Sequence, residues 1–156
     1  MYRICLCVSL LITTSIIAQK TVKWSTSFDE TKEQVNFNAK IEKGWHLYAI
    51  YVPQPDDGPL PTIIKYKTVK GVNLIDSLIQ EKPIIYYDKN FGMNLAYYED
   101  STSFKQKVEF NQKKGKINGV IDYMTCNDKM CIPYNWSFEI KLSHPKVERY
   151  FMSNLE

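Results

Sequence analysis

A chain of 156 residues that is 44% hydrophobic, 13% aromatic and 24% charged has the composition of one folded domain. The aromatic content excludes a disordered polymer, and a mean hydropathy of -0.33 excludes a multispan membrane protein. A net charge of +3, from 20 Lys plus Arg against 17 Asp plus Glu, is too small and too dispersed to predict nucleic-acid binding, and the basic cluster Lys113, Lys114 and Lys116 around Gly115 reads as a solvated turn.

Residues 1–18 differ in kind from the rest. Arg3 supplies a positive start, Ile4 to Ile17 carry no charge, and Ala18 offers a small residue before Gln19 and Lys20, which is the pattern of a cleaved secretory signal peptide. The apolar run is shorter than the roughly 20 residues a membrane span needs, so no stable insertion is expected after cleavage. Cys5 and Cys7 lie at the start of the run, where neither becomes the lipidated first residue of a mature chain. Their removal leaves Cys126 and Cys131 as one possible pair, in a protein sent where thiols oxidise.

From residue 19 to 142 a period of two dominates. Val35, Phe37, Ala39 and Ile41 alternate with Asn36, Asn38 and Lys40, as a half-buried strand requires. Trp45 to Tyr51, Thr62 to Val69, Phe104 to Phe110, Ile117 to Met124 and Trp136 to Leu142 are similar short runs. Gly58, Pro59 and Pro61 break the chain after the second run, Gly71 closes the third, and Lys114 with Gly115 turns it before Ile117. The one helical candidate is the tail, 143–156, where Pro145 suits a first helical position and Val147, Tyr150 and Phe151 share a side. Six to nine strands at this spacing predict an all-β, antiparallel sandwich of two packed sheets, with an open barrel as the alternative.

The chemistry concentrates between Tyr123 and Pro133. Amphipathic runs on either side make Asn127 to Met130 the tip of a hairpin, and residues opposed across a hairpin approach to roughly 4.5–5.5 Å between Cα atoms, so Cys126 and Cys131 can bond. One reading of the bond is a structural staple. Closing so short a loop restricts the unfolded chain by only about 2 kcal/mol, however, and a bridge at an exposed tip beside Lys129, whose charge favours a thiolate, is open to attack. His46 and His144 with the two cysteines make a poor zinc signature because the histidines are far apart in sequence. No metal or other cofactor is expected, and neither a nucleophile elbow nor a Gly-rich phosphate loop is present in the sequence.

Cys126 to Pro133, preceded in order by Gly44, Trp45, His46, Leu47, Tyr48 and by Gly58, Pro59, Leu60, Pro61, Thr62, resembles the N-terminal periplasmic domain family of the thiol:disulfide interchange protein DsbD, especially members from the Bacteroidetes. The resemblance covers Thr21 to Leu142. It implies an immunoglobulin-like β-sandwich in the periplasm that passes reducing equivalents through the Cys126/Cys131 pair, with Cys131 forming the mixed disulfide and Cys126 resolving it. It also implies a cap loop over the disulfide, for which Tyr86 to Gly92 stands in the corresponding place, with Asp88 in the loop, Phe91 as the lid and Gly92 as its flexible neighbour. The implied partners are a membrane-embedded thiol reductant and periplasmic thioredoxin-like proteins. Two features depart from the family: the cysteine spacing is one residue shorter than in the enterobacterial member, and the sequence carries neither a polytopic segment nor a thioredoxin-like domain, so its electrons would come from a separate protein. The competing class is a secreted binding or structural sandwich whose hairpin disulfide is inert.

Overall fold

Alternation of the kind seen in Val35 to Ile41 buries one face of each strand, and the structure, a computed structural model, describes residues 20–52, 58–89 and 91–144. The expected signal peptide at 1–18 and nearly all of the 143–156 tail lie outside the described residues. Ten strands are found among those described: β1 (Val22–Asp29), β2 (Gln34–Ile41), β3 (His46–Tyr48), β4 (Ile63–Lys70), β5 (Val72–Gln80), β6 (Ile84–Asp88), β7 (Met93–Tyr98), β8 (Ser101–Phe110), β9 (Lys114–Cys126) and β10 (Cys131–Ser143). No helix among the described residues is long and apolar enough to cross a membrane.

The strands form two sheets, a four-stranded one in the order β1-β2-β8-β5 and a six-stranded one in the order β10-β9-β3-β7-β6, with β4 also on β9. Every pairing is antiparallel. This is an immunoglobulin-like β-sandwich, and the open-barrel alternative is set aside. The strand count exceeds the expected six to nine because β1, β5, β6 and β7 add to the six alternating runs. In β1 Val22, Trp24 and Phe28 face inward and Lys23, Ser25 and Ser27 outward, with Thr26 interrupting the apolar face. The run expected at Trp45 to Tyr51 shortens to β3, and the last bond to β7 is from Ala49 N to Ala96 O at 2.9 Å.

Facing residues of the two sheets fill the core. Phe37 on β2 lies opposite Phe104 on β8, and both are fully buried with Leu47, Ile117 and Ile121 from the other sheet. Aromatic edges close the layer: Phe37 meets Phe138 at 5.0 Å between ring centroids, and Trp24 meets Tyr123 at 5.4 Å. The reversal expected at Lys114 and Gly115 falls instead at 111–113. Gly115 is buried within β9, where an added Cβ would come within 2.6 Å of the Val72 side chain, so the glycine serves close packing and not the turn.

Three features fix the strands that carry the site. Gly44, at φ +82, lets Trp45 N donate to Glu42 O at 3.0 Å and delivers the chain into β3. The buried Thr62 hydroxyl donates to Tyr48 O at 2.6 Å, anchoring short β3 from the far side of the crossing to β4. Thr21 and Thr125 share a buried hydroxyl hydrogen bond at 2.7 Å, tying the start of the first sheet to β9 one residue before Cys126.

Candidate functional site

In β9 the odd-numbered residues Ile121, Tyr123 and Thr125 face the other sheet, and Met124 and Cys126 therefore face outward. The same alternation turns Leu47, Ala96 and Tyr98 inward and Tyr48, Leu95 and Tyr97 outward. A second, small apolar cluster results on the outer face of the six-stranded sheet: Tyr48, Met93, Leu95 and Cys126, with Tyr97 and Met124 packed against it. The sulfur of Cys126 belongs to this cluster and not to the main core.

Cys126 and Cys131 are bonded, with Cα atoms 4.0 Å apart. Their positions follow from the hairpin. Asn127 N donates to Met130 O at 2.9 Å, which makes Asn127 and Met130 the last hydrogen-bonded pair; the next pair out, Cys126 with Cys131, is of the kind whose side chains approach most closely. The tip is held by one side chain, since Asn127 Oδ1 accepts from both Lys129 N and Met130 N at 2.9 Å. The one-residue shortening of the cysteine spacing thus leaves a well-formed tight turn.

The two sulfurs are not equivalent. β9 is flanked by β3 and by β10, and Cys126 is only 5% exposed. Cys131 opens β10, an edge strand, and is exposed. Beside the disulfide lies a cleft of 690 Å³ whose walls come from β3, β6, β7, the hairpin tip and the residues after β6. Asp88, Phe91, Cys126, Lys129 and Cys131 all line it. Phe91 is 39% exposed, and its backbone N–H donates to Asp88 Oδ1 at 3.2 Å, closing the turn that leads out of β6. Gly92 follows at φ +67 with open space where a Cβ would stand.

Two residues of the cleft, His46 and Glu99, are not legible as a pair in the sequence. His46 Nε2 lies 3.0 Å from a Glu99 carboxylate oxygen, and its ring packs on Tyr97 at 4.4 Å between centroids. Below them Tyr48 is buried, and its hydroxyl pKa is pushed up to about 12 by burial first and by Asp88 and Tyr97 second, so it remains a neutral donor across the physiological range. His144 packs on Phe110 at 5.0 Å, beyond the opposite end of the β9–β10 ladder from the cysteines, so the two histidines are not brought together. Among the described residues no group of three His, Cys, Asp or Glu side chains is placed to hold a metal ion.

A two-sheet antiparallel sandwich with a hairpin disulfide set against an outer-face cleft defines the class: a disulfide-bearing domain of immunoglobulin-like fold. The family model described as thiol:disulfide interchange protein DsbD, N-terminal, matches residues 13–142, and the chain belongs to that family. It is similar to the DsbD N-terminal domain of Neisseria meningitidis in the reduced form, with 15% identity and a TM-score of 0.56 over 79% of this chain and 86% of that one. It is also similar to a structure of the complex between the DsbD N-terminal and PilB N-terminal domains from Neisseria meningitidis, with 16% identity and a TM-score of 0.54 over 78% of this chain and 83% of that one. No curated relative matches. Family and disulfide together fit a thiol:disulfide interchange module.

Proposed function

We propose that this domain works in the periplasm, after cleavage of residues 1–18, and passes reducing equivalents to thioredoxin-like proteins through the Cys126/Cys131 dithiol and disulfide. The observation that carries the reading is the asymmetry of the bond: one sulfur belongs to an exposed edge residue and the other to a buried residue beside an open cleft. Thiol–disulfide exchange requires an attacking thiolate to reach one sulfur in line with the bond while the other leaves. Cys131 is the accessible target and Cys126 the leaving and later the resolving group. A staple needs no such access. The exposed apolar side chains of Tyr86, Phe91 and Met130 at the cleft offer a partner surface of the kind protein contacts use, and the complex of the similar Neisseria meningitidis domain with PilB supports a protein partner. A membrane-embedded thiol reductant would refill the pair.

The reading is tested by rapid acid quenching of cells followed by alkylation with a mass-shifting maleimide. An interchange module is expected to show a reduced fraction of the Cys126/Cys131 pair in the periplasm, whereas an inert bridge is found wholly oxidised.

In this reading Asp88, Phe91 and Gly92 form the cap. Phe91 stands on a turn outside both apolar clusters and gates access without supporting the core. Phe91→Ala should therefore speed reduction of the disulfide by dithiothreitol severalfold and leave the thermal midpoint within about 2 °C of the wild type. An unchanged rate would remove Phe91 from the gate.

A further inference from the structure

The outer face of the six-stranded sheet carries a row of side chains that crosses three strands and ends on Glu99, the residue after β7. Cys131 on β10 pairs with Cys126 on β9, and Cys126 pairs in turn with His46 on β3. The register of β3 on β7, Leu47 with Tyr98 and Tyr48 with Tyr97, puts Glu99 opposite His46, and the 3.0 Å contact between His46 Nε2 and the Glu99 carboxylate completes the row. Directly opposed residues in antiparallel strands project from the same face with Cβ atoms roughly 4.5–5.5 Å apart. Carboxylate, imidazole, buried sulfur and exposed sulfur thus follow one another across the sheet, and all four residues line the cleft.

We propose that His46, oriented by Glu99, manages the proton and charge of the Cys126 sulfur during exchange. The inference rests on the thiol-exchange reading and adds to it the group that makes a buried leaving sulfur workable. When a partner thiolate attacks Cys131 Sγ, a new bond forms between the partner sulfur and Cys131, the Sγ–Sγ bond breaks, and its electron pair goes to Cys126. A thiolate at so buried a residue is costly unless a cation or a proton donor stands beside it. Imidazolium at His46 supplies both: it stabilises the departing thiolate and then transfers its proton to it, becoming neutral imidazole. In the resolving direction the neutral imidazole takes the proton back from the Cys126 thiol. The thiolate so formed attacks Cys131 Sγ and expels the partner as its thiolate.

Glu99 holds the ring through Nε2, and the Tyr97 ring packs on it at 4.4 Å between centroids, which fixes the imidazole of the residue paired in register with Cys126. The other ionisable groups around this row are Tyr97 from β7, Tyr48 from β3, Tyr86 and Asp88 from β6, and Asp128 and Lys129 from the hairpin tip. Burial raises the hydroxyl pKa values of Tyr48 and Tyr97, which keeps both neutral. Of these side-chain types, imidazole is the one whose ordinary titration falls between pH 5 and 8.

The test is the rate of reduction of the full-length mature protein by dithiothreitol from pH 5.5 to 8.5, divided at each pH by the thiolate fraction of the reagent. The wild-type quotient is expected to rise toward low pH, where an imidazole side chain can supply a proton. His46→Gln should lower it at pH 6 by at least about tenfold and flatten the profile. Glu99→Gln, at a half-exposed position that does not endanger the fold, removes the carboxylate that orients the ring and should lower the quotient at pH 6 severalfold. Variants that fold normally by circular dichroism and keep the wild-type rate and profile would overturn the assignment of His46 alone. A wild-type rate per thiolate no greater than that of oxidised glutathione would overturn the exchange reading and this inference with it.

Discussion

Replacing Cys126 with Ala is expected to turn a passing encounter into a stable covalent complex. Exchange proceeds through a mixed disulfide, and its lifetime is set by the thiol that resolves it. With Cys131 on the exposed edge strand and Cys126 buried between β3 and β10, the incoming thiolate reaches Cys131 and the resolving thiol is Cys126. Oxidised Cys126→Ala protein carrying a leaving group on Cys131, mixed with a reduced thioredoxin-fold protein that lacks its own second cysteine, should give a complex seen as one added mass on a non-reducing gel. Cys131→Ala under the same conditions should give little or none. If Cys131→Ala traps the partner and Cys126→Ala does not, the roles are reversed; if neither does, the bridge is structural.

Phe104→Ala is the substitution with the largest expected effect on stability, about 3–5 kcal/mol. Phe104 is fully buried on β8, an inner strand of the four-stranded sheet, opposite Phe37, with ring centroids of Trp24 and Tyr98 at 5.9 and 5.8 Å. These neighbours belong to β1, β2 and β7, so truncation leaves a cavity where the two sheets meet and none of the strands can close it independently. A domain of this size has a total stability of about 5–15 kcal/mol, so urea unfolding of the variant should begin at markedly lower denaturant. A loss under about 1.5 kcal/mol would mean that the sheets collapse onto the vacancy. The disulfide lies on the outer face of the other sheet, so the surviving folded fraction should keep its exchange rate.

What could be read in the sequence tracks the contrast between the two faces of each strand. β2, β8, β9 and β10 each have a wet face and a dry one, and their alternation was plain. β6 and β7 gave no such signal: β6 is apolar in sequence yet exposed over Ile84 to Tyr87, and β7 is covered on both faces, by the main core through Ala96 and Tyr98 and by the small cluster through Met93 and Leu95. The cysteine hairpin was legible because its partners are adjacent in the chain. Glu99 and His46 were not legible as partners, because their approach depends on the register of β3 with β7, and no local pattern encodes a contact between strands so distant in sequence. The sequence places His46 in a strand and in the Gly-Trp-His segment that carries part of the family resemblance, and makes it a poor zinc candidate, but it does not reveal the carboxylate partner.

The central claim is that the Cys126–Cys131 bond exchanges under biological redox conditions, and its most direct test is equilibration of the purified mature protein with glutathione buffers, followed by acid quenching, alkylation and intact-mass measurement. A reversible transition with a midpoint between about -120 and -270 mV, the span of disulfide-exchange proteins, is the expected result. A bond that stays oxidised throughout and yields only below about -300 mV would be a structural bridge and would contradict the account.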